Sequence, residues 1–116
     1  MKNNIVKDKS FAFAIRIVSL YKFLTDEKKE FVLSKQMLRS GTSIGANVEE
    51  AIGGQSKADF LSKLSIAYKE ARETLYWIKL LKETEYLTLE MADSLLNDTD
   101  EICRIIGKIQ ITMKQP

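Results

Sequence analysis

The stretch RSGTSIGANVEEAIGGQSKADFLSKLSIAYKEARETLYW, residues 39–77, decides the fold. In its second half Phe60, Leu64, Ala67, Ala71 and Thr74 lead on to Ile78 and Leu81, spaced 4-3-4-3-4-3. That is a heptad seam, the spacing by which one helix packs along another. Ser56-x-x-Asp59 just upstream is a capping box with Asp in the place of Glu, so a helix over 57–83 is expected. At 1.5 Å per residue it would be about 40 Å long. The Gly53-Gly54 pair, the residue type that accepts a left-handed helix end, separates it from a preceding helix over 26–52. Thr25 is the expected N-cap of that preceding helix, followed by the acidic Asp26 and Glu27 that a helix start favours. Its expected face is Phe31, Leu38, Gly45, Val48 and Ile52. Gly41 and Gly45 lie four apart and each costs about 1 kcal/mol of helix propensity against alanine. Together they predict a flat notch where a neighbouring helix comes close.

The same reading extends to both ends of the chain. From Phe11 to Leu24 only Arg16, Ser19 and Lys22 are polar, three apart on one narrow stripe. A helix over 8–24 that is apolar nearly all round is buried on more than one side. In so small a chain the second side is expected to be another subunit, with a central place in the monomer as the alternative. Phe13, Ile17 and Leu20 are the expected interface residues. After a short ETEYL connection, Thr88 caps a helix over 88–113 in which Ala92, Leu95, Thr99, Ile102, Ile106, Ile109 and Met113 repeat the heptad spacing. Its acids precede its bases, as the helix dipole prefers. The one proline is residue 116, and no run alternates as a half-buried strand does. The expected fold is all-α, an antiparallel up-down-up-down four-helix bundle occupying residues 1–116 as one domain.

Composition bounds the chemistry. At 116 residues the chain would bury roughly 65 % of its unfolded surface. Eighteen Lys and Arg against sixteen Asp and Glu give +2, too modest an excess to prove a nucleic-acid partner by charge alone. The chain has no histidine, which removes His-based acid–base catalysis, Ser-His-Asp and Cys-His nucleophiles and His-containing zinc sites. The single Cys103 has no internal disulfide partner, which fits a reducing compartment. The polar N-terminus and the interrupted apolar run after it are read as neither a signal peptide nor a membrane span, so a cytoplasmic protein with no membrane partner is expected.

Two groups of residues stand out. Arg39, Ser43, Asn47 and Glu50 share one helical face, and Lys63, Glu70, Glu73 and Trp77 recur on the next helix. This is either a hydrogen-bonded network that fixes helix register or a binding pocket. Glu70-x-x-Glu73 and Glu90-x-x-Asp93, sixteen residues apart, also resemble the E-x-x-E…E-x-x-D signature of all-α nucleoside triphosphate pyrophosphohydrolases, which gather such acids around Mg²⁺. Acids in a first helical turn and acids flanked by Lys63, Lys69 and Arg72 have structural explanations too, and no cofactor or metal site is assigned. Ser43 has no histidine to activate it, and Trp77 and Tyr76 read as packing more readily than as base-stacking platforms.

RSGTSIGANVEEA, followed by F-x-x-K-L-x-I-A-x-K-E-A-x-E-T-x-Y-W-I, resembles the four-helix-bundle family encoded in intervening sequences of bacterial 23S ribosomal RNA genes. Arg39, Ser43, Ile44, Ala46, Asn47, Glu50, Phe60, Ala67, Glu70, Glu73 and Trp77 carry the match. The resemblance implies a bacterial ring-like homopentamer without catalytic residues. It is also similar to the accessory variability protein of diversity-generating retroelements, a basic pentamer that binds nucleic acid and a reverse transcriptase. The implied partners are therefore a second copy of the chain and structured RNA or a nucleic-acid-processing protein. Lys2, Lys7, Lys9, Lys108 and Lys114 are the expected phosphate contacts, because antiparallel helices bring both termini to one end. Five copies would carry roughly +10, enough to attract a polyanion.

Overall fold

The computed structural model describes residues 3–114, and within them four helices run in chain order: α1 (Asn3–Asp26), α2 (Leu33–Ile52), α3 (Lys57–Glu83) and α4 (Leu89–Lys114). No strand is present among the described residues. Contacts across each seam run in opposite senses along the two helices. Lys7 meets Glu49 while Ile17 meets Gly41, and Glu50 meets Lys63 while Arg39 meets Glu73. Likewise Ser65 meets Gln110 while Lys82 meets Asp93, and Lys9 meets Glu101 while Arg16 meets Asp98. Neighbouring helices are therefore antiparallel, α1 closes on α4, and the diagonal pairs bring no Cα atoms within 8 Å of each other. The result is an all-α four-helix bundle, a rod of 49 × 21 × 20 Å.

The α3 and α4 seams form as their spacing predicts. Leu64, Ala67, Ala71, Thr74, Ile78 and Leu81 are buried on α3, as are Ala92, Leu95, Thr99, Ile102 and Ile106 on α4. Ser56 accepts the Asp59 N–H at 3.0 Å, and Thr88 accepts the Met91 N–H at 3.2 Å.

Helix α2 departs from expectation in three ways. It begins at Leu33 rather than near residue 26, because α1 continues through Thr25, whose hydroxyl donates to the Tyr21 carbonyl at 3.0 Å. The cap is Glu30, placed ahead of the helix by a left-handed Lys29 with φ 55°. Its carboxylate accepts the N–H groups of Val32, Leu33 and Ser34 at 3.2, 3.0 and 2.7 Å. Burial alone would raise this carboxyl; the three backbone donors and the Ser34 hydroxyl outweigh it and hold Glu30 below the ordinary range. The buried face of α2 is Ser34, Met37, Gly41, Ile44, Val48 and Ala51, with Ser40 beside it, whereas Phe31 and Ile52 are exposed. Small polar residues line this seam, so hydropathy did not mark it. Gly53 ends the helix with φ −80°, not left-handed, its N–H bonding to Glu49. The chain approaches itself closely at Gly54, where a Cβ would lie 3.1 Å from the Ala51 carbonyl oxygen.

The glycine notch is occupied by α1. A Cβ on Gly41 would come within 2.8 Å of the Ile17 side chain, and one on Gly45 within 3.3 Å of the Ser10 carbonyl. No described helix is long and apolar enough to cross a membrane.

Candidate functional site

The polar residues of α2 and α3 meet across one seam. Arg39 donates to Glu70 at 3.2 Å and also to Glu73, whose same oxygen accepts the Trp77 indole N–H at 3.0 Å. The Trp77 bond first, then the Arg39 bond, hold the Glu73 carboxyl below its ordinary range, and Glu73 in turn raises Arg39. One turn inward, Thr74 Oγ1 lies 2.9 Å from Ser40 Oγ and 2.7 Å from the Glu70 carbonyl. Farther along, Glu50 pairs with Lys63 at 3.1 Å. Ser43 and Asn47 do not join this network: they donate back to the Arg39 and Ser43 carbonyls of their own helix, at 2.6 and 2.8 Å. The seam is thus a charge-paired clasp between two helices. Its cross-links lie at both ends of the α2–α3 seam.

The four acids of the hydrolase-like pattern are not gathered. Glu70 and Glu73 are held by Arg39 on the α2–α3 face, whereas Glu90 and Asp93 sit at the start of α4, where Asp93 pairs with Lys82 at 2.9 Å. Residue 82 lies opposite residue 93, so Glu73 is about nine residues, roughly 14 Å, farther along the rod. Among the described residues no three His, Cys, Asp or Glu side chains are grouped to hold a metal ion.

The expected phosphate-binding lysines separate into two kinds. Lys7 is 3.8 Å from Glu49 and Lys9 is 3.2 Å from Glu101, so each is matched by an acid on a neighbouring helix. Lys108 lines an open groove between α3 and α4, and Lys114 is exposed at the end of α4. Lys2 lies outside the described residues. The groove beside Lys108 is also lined by Tyr68, Arg72, Asp100, Cys103, Arg104 and Gly107. Burial pushes the Cys103 thiol up, with the Arg72 guanidinium pulling it partly back. Arg72 and Arg104 carried no signal in the sequence, because only the register between α3 and α4 brings them together.

Phe13, Ile17 and Leu20, expected at a subunit interface, are 1, 0 and 5 % exposed within the single chain and pack into its own core. The outer face of α1 is instead Phe11, Ile15 and Val18, of which Phe11 is 66 % and Ile15 55 % exposed. Ile15 leads into an apolar groove against α4, completed by Leu20, Phe23, Met91 and Leu95.

Comparison with known proteins agrees with this architecture. The crystal structure of a protein of unknown function from the S23 ribosomal protein family of Bacteroides thetaiotaomicron is similar to it, with a TM-score of 0.94 and 60 % identity. The match covers 96 % of this chain and 99 % of that one. No curated protein matches closely enough to count as a relative. The model of the 23S rRNA-intervening sequence proteins matches residues 2–108, nearly the whole bundle, and the chain therefore belongs to that family.

Proposed function

We propose that the protein is a non-enzymatic helical bundle that assembles through the outer face of α1 into a ring-like homopentamer and binds structured RNA or a nucleic-acid-processing partner in the cytoplasm. The observation that supports assembly is the apolar stripe Phe11, Ile15 and Val18, solvent-facing in one chain and continuous with the α1–α4 groove. A contiguous patch of this kind marks an interaction surface rather than scattered surface apolarity. The ring number and the RNA follow from the family resemblance. Assembly would multiply a charge of +2 per chain into a field that a single copy lacks.

Mass photometry of the purified protein and of Ile15→Asp tests the assembly. The wild type should be a pentamer and the variant a folded monomer by circular dichroism. A monomeric wild type, or a variant that stays pentameric, would overturn it. Fluorescence anisotropy with a labelled ribosomal RNA hairpin across a salt series tests the ligand. Log affinity should fall steeply with log salt, and absence of binding at low salt would refute the RNA role.

A further inference from the structure

Four seams join the helices, and along them cross-helix charges meet as opposites. Lys7 faces Glu49, Lys9 faces Glu101, Arg16 faces Asp98, Arg39 faces Glu70 and Glu73, and Lys63 faces Glu50. The α3–α4 seam obeys the rule at its far end, where Lys82 meets Asp93. It breaks the rule in the groove at the other half. There Arg72 projects from α3 while Arg104 and Lys108 project from α4, all lining the same opening. Among the described residues neither Arg72 nor Lys108 has an ion-pair partner, and the nearby acid, Asp100, pairs within its own helix with Arg104 at 3.4 Å. Three cations thus share an opening that holds one carboxylate, and like charges brought together repel.

The groove floor gives a second, independent sign. Gly107 lies mid-helix in α4, yet a Cβ built on it would meet nothing within 4 Å. Unlike Gly41, it makes room for no neighbouring side chain, so packing does not account for its cost in helix propensity. Its effect is to leave bare backbone along the lining of an open groove of about 550 Å³. At its end the Gln110 amide donates to Ser65 Oγ at 2.9 Å, bridging the two helices.

We infer that this α3–α4 groove is the seat of a phosphodiester backbone, with Arg72, Arg104 and Lys108 contacting phosphates and Gly107 giving the strand its depth. The inference rests on the RNA-binding reading above; it keeps Lys108 and replaces the other expected lysines with Arg72 and Arg104. A guanidinium on each wall suits phosphate oxygens, which accept its forked donors in pairs. Asp100 keeps Arg104 oriented in the free protein and yields it to the stronger anion.

The experiment is anisotropy with the same labelled RNA hairpin, run on three proteins. One is wild type, one carries Arg72→Gln, Arg104→Gln and Lys108→Gln, and one carries Lys22→Gln, Lys28→Gln and Lys35→Gln. The two triple variants lose equal charge, the second on surfaces away from the groove. The groove variant should bind at least about tenfold more weakly, with a salt slope shallower by roughly 0.7–0.9 for each phosphate no longer neutralised. The control variant should match wild type. Gly107→Leu, which changes no charge, should weaken binding while raising the melting temperature or leaving it unchanged. If wild type binds and both triple variants weaken alike, charge acts diffusely and the groove is wrong while the RNA reading survives. If wild type binds and the groove variant is unaffected, the groove is likewise overturned. If wild type itself fails to bind at low salt, the RNA reading falls and the inference with it.

Discussion

Replacing Gly41 with alanine sets two opposed effects against each other, and the structure decides between them. Alanine in a helix interior is favoured over glycine by about 1 kcal/mol. At Gly41, however, the new methyl would lie 2.8, 2.9 and 3.0 Å from three carbons of Ile17, nearer than side-chain carbons pack. Ile17 is wholly buried, so it has no open space into which to rotate, and α1 would have to move off α2. Overpacking of this kind costs about 1–3 kcal/mol. The net expectation is a loss of about 0–2 kcal/mol, or up to roughly 10 °C in melting temperature for a domain of this size. Gly107→Ala is the matched comparison: the same chemical change where the methyl meets nothing within 4 Å, expected to gain about 0.5–1 kcal/mol. Urea titrations at one fixed protein concentration would measure both. Adding Ile17→Val to Gly41→Ala should recover part of the loss, a coupling that a double-mutant cycle reads directly. A Gly41→Ala protein as stable as Gly107→Ala would refute the claim that α1 sits in the notch.

Removing the α2 cap by Glu30→Ala should cost about 1–3 kcal/mol in urea melts, since it leaves three backbone N–H groups without their acceptor. The Glu30 carboxyl is held below its ordinary value of 4.5, so its stabilising effect is complete above that pH and is lost as pH falls through the lower folded value. The stability gap between wild type and Glu30→Gln should therefore narrow below about pH 4.5, and a gap that widened on acidification would contradict the sign. Glu73 is shifted the same way by Trp77 and Arg39, so Trp77 emission should titrate below pH 4.5 in wild type and lose that step in Glu73→Gln. Arg39→Ala should change stability by no more than about 1 kcal/mol, because the clasp it belongs to is substantially exposed and screened.

The parts of the fold that were legible are those in which hydropathy and burial coincide. The α3 and α4 seams are apolar at heptad spacing, and Ser56 and Thr88 are local caps whose acceptor and donor lie three residues apart. The α2 seam was hidden because Ser34, Ser40 and Gly41 are buried, the two serine hydroxyls satisfied at short range, Ser34 donating to the Glu30 carbonyl at 2.7 Å. Its start was hidden because the cap reaches in from a loop with a left-handed Lys29, while Thr25 offers a plausible cap that α1 absorbs. Helix α1 is apolar on both sides, and periodicity cannot say which side meets the chain's own core. Phe13 and Ile17 face inward, while Phe11 and Ile15 face out. The Arg39–Glu70–Glu73–Trp77 clasp could be anticipated because each helix presents its share on one face. The cations of Arg72 and Arg104 could not, since they are paired only by the alignment of two helices.

The two proposed surfaces are compatible in one assembly. Helices α1 and α3 stand on the diagonal of the bundle, with no Cα atoms within 8 Å of each other, so a copy docking on the outer face of α1 approaches from the side away from α3. A ring closes through a head-to-tail contact, so the face of the next copy that receives α1 is a different one. A ring whose receiving face is not the α3–α4 groove leaves that groove open in every subunit, and one long RNA could engage several at once. Each added engagement is intramolecular, so the affinity of a modestly charged groove would be multiplied with no change in the groove itself. Assembly and binding should accordingly fail together: Ile15→Asp, which leaves the cations of the groove untouched, should weaken a long RNA far more than a hairpin short enough to occupy a single subunit. Equal losses for the two RNAs would mean that the grooves act singly.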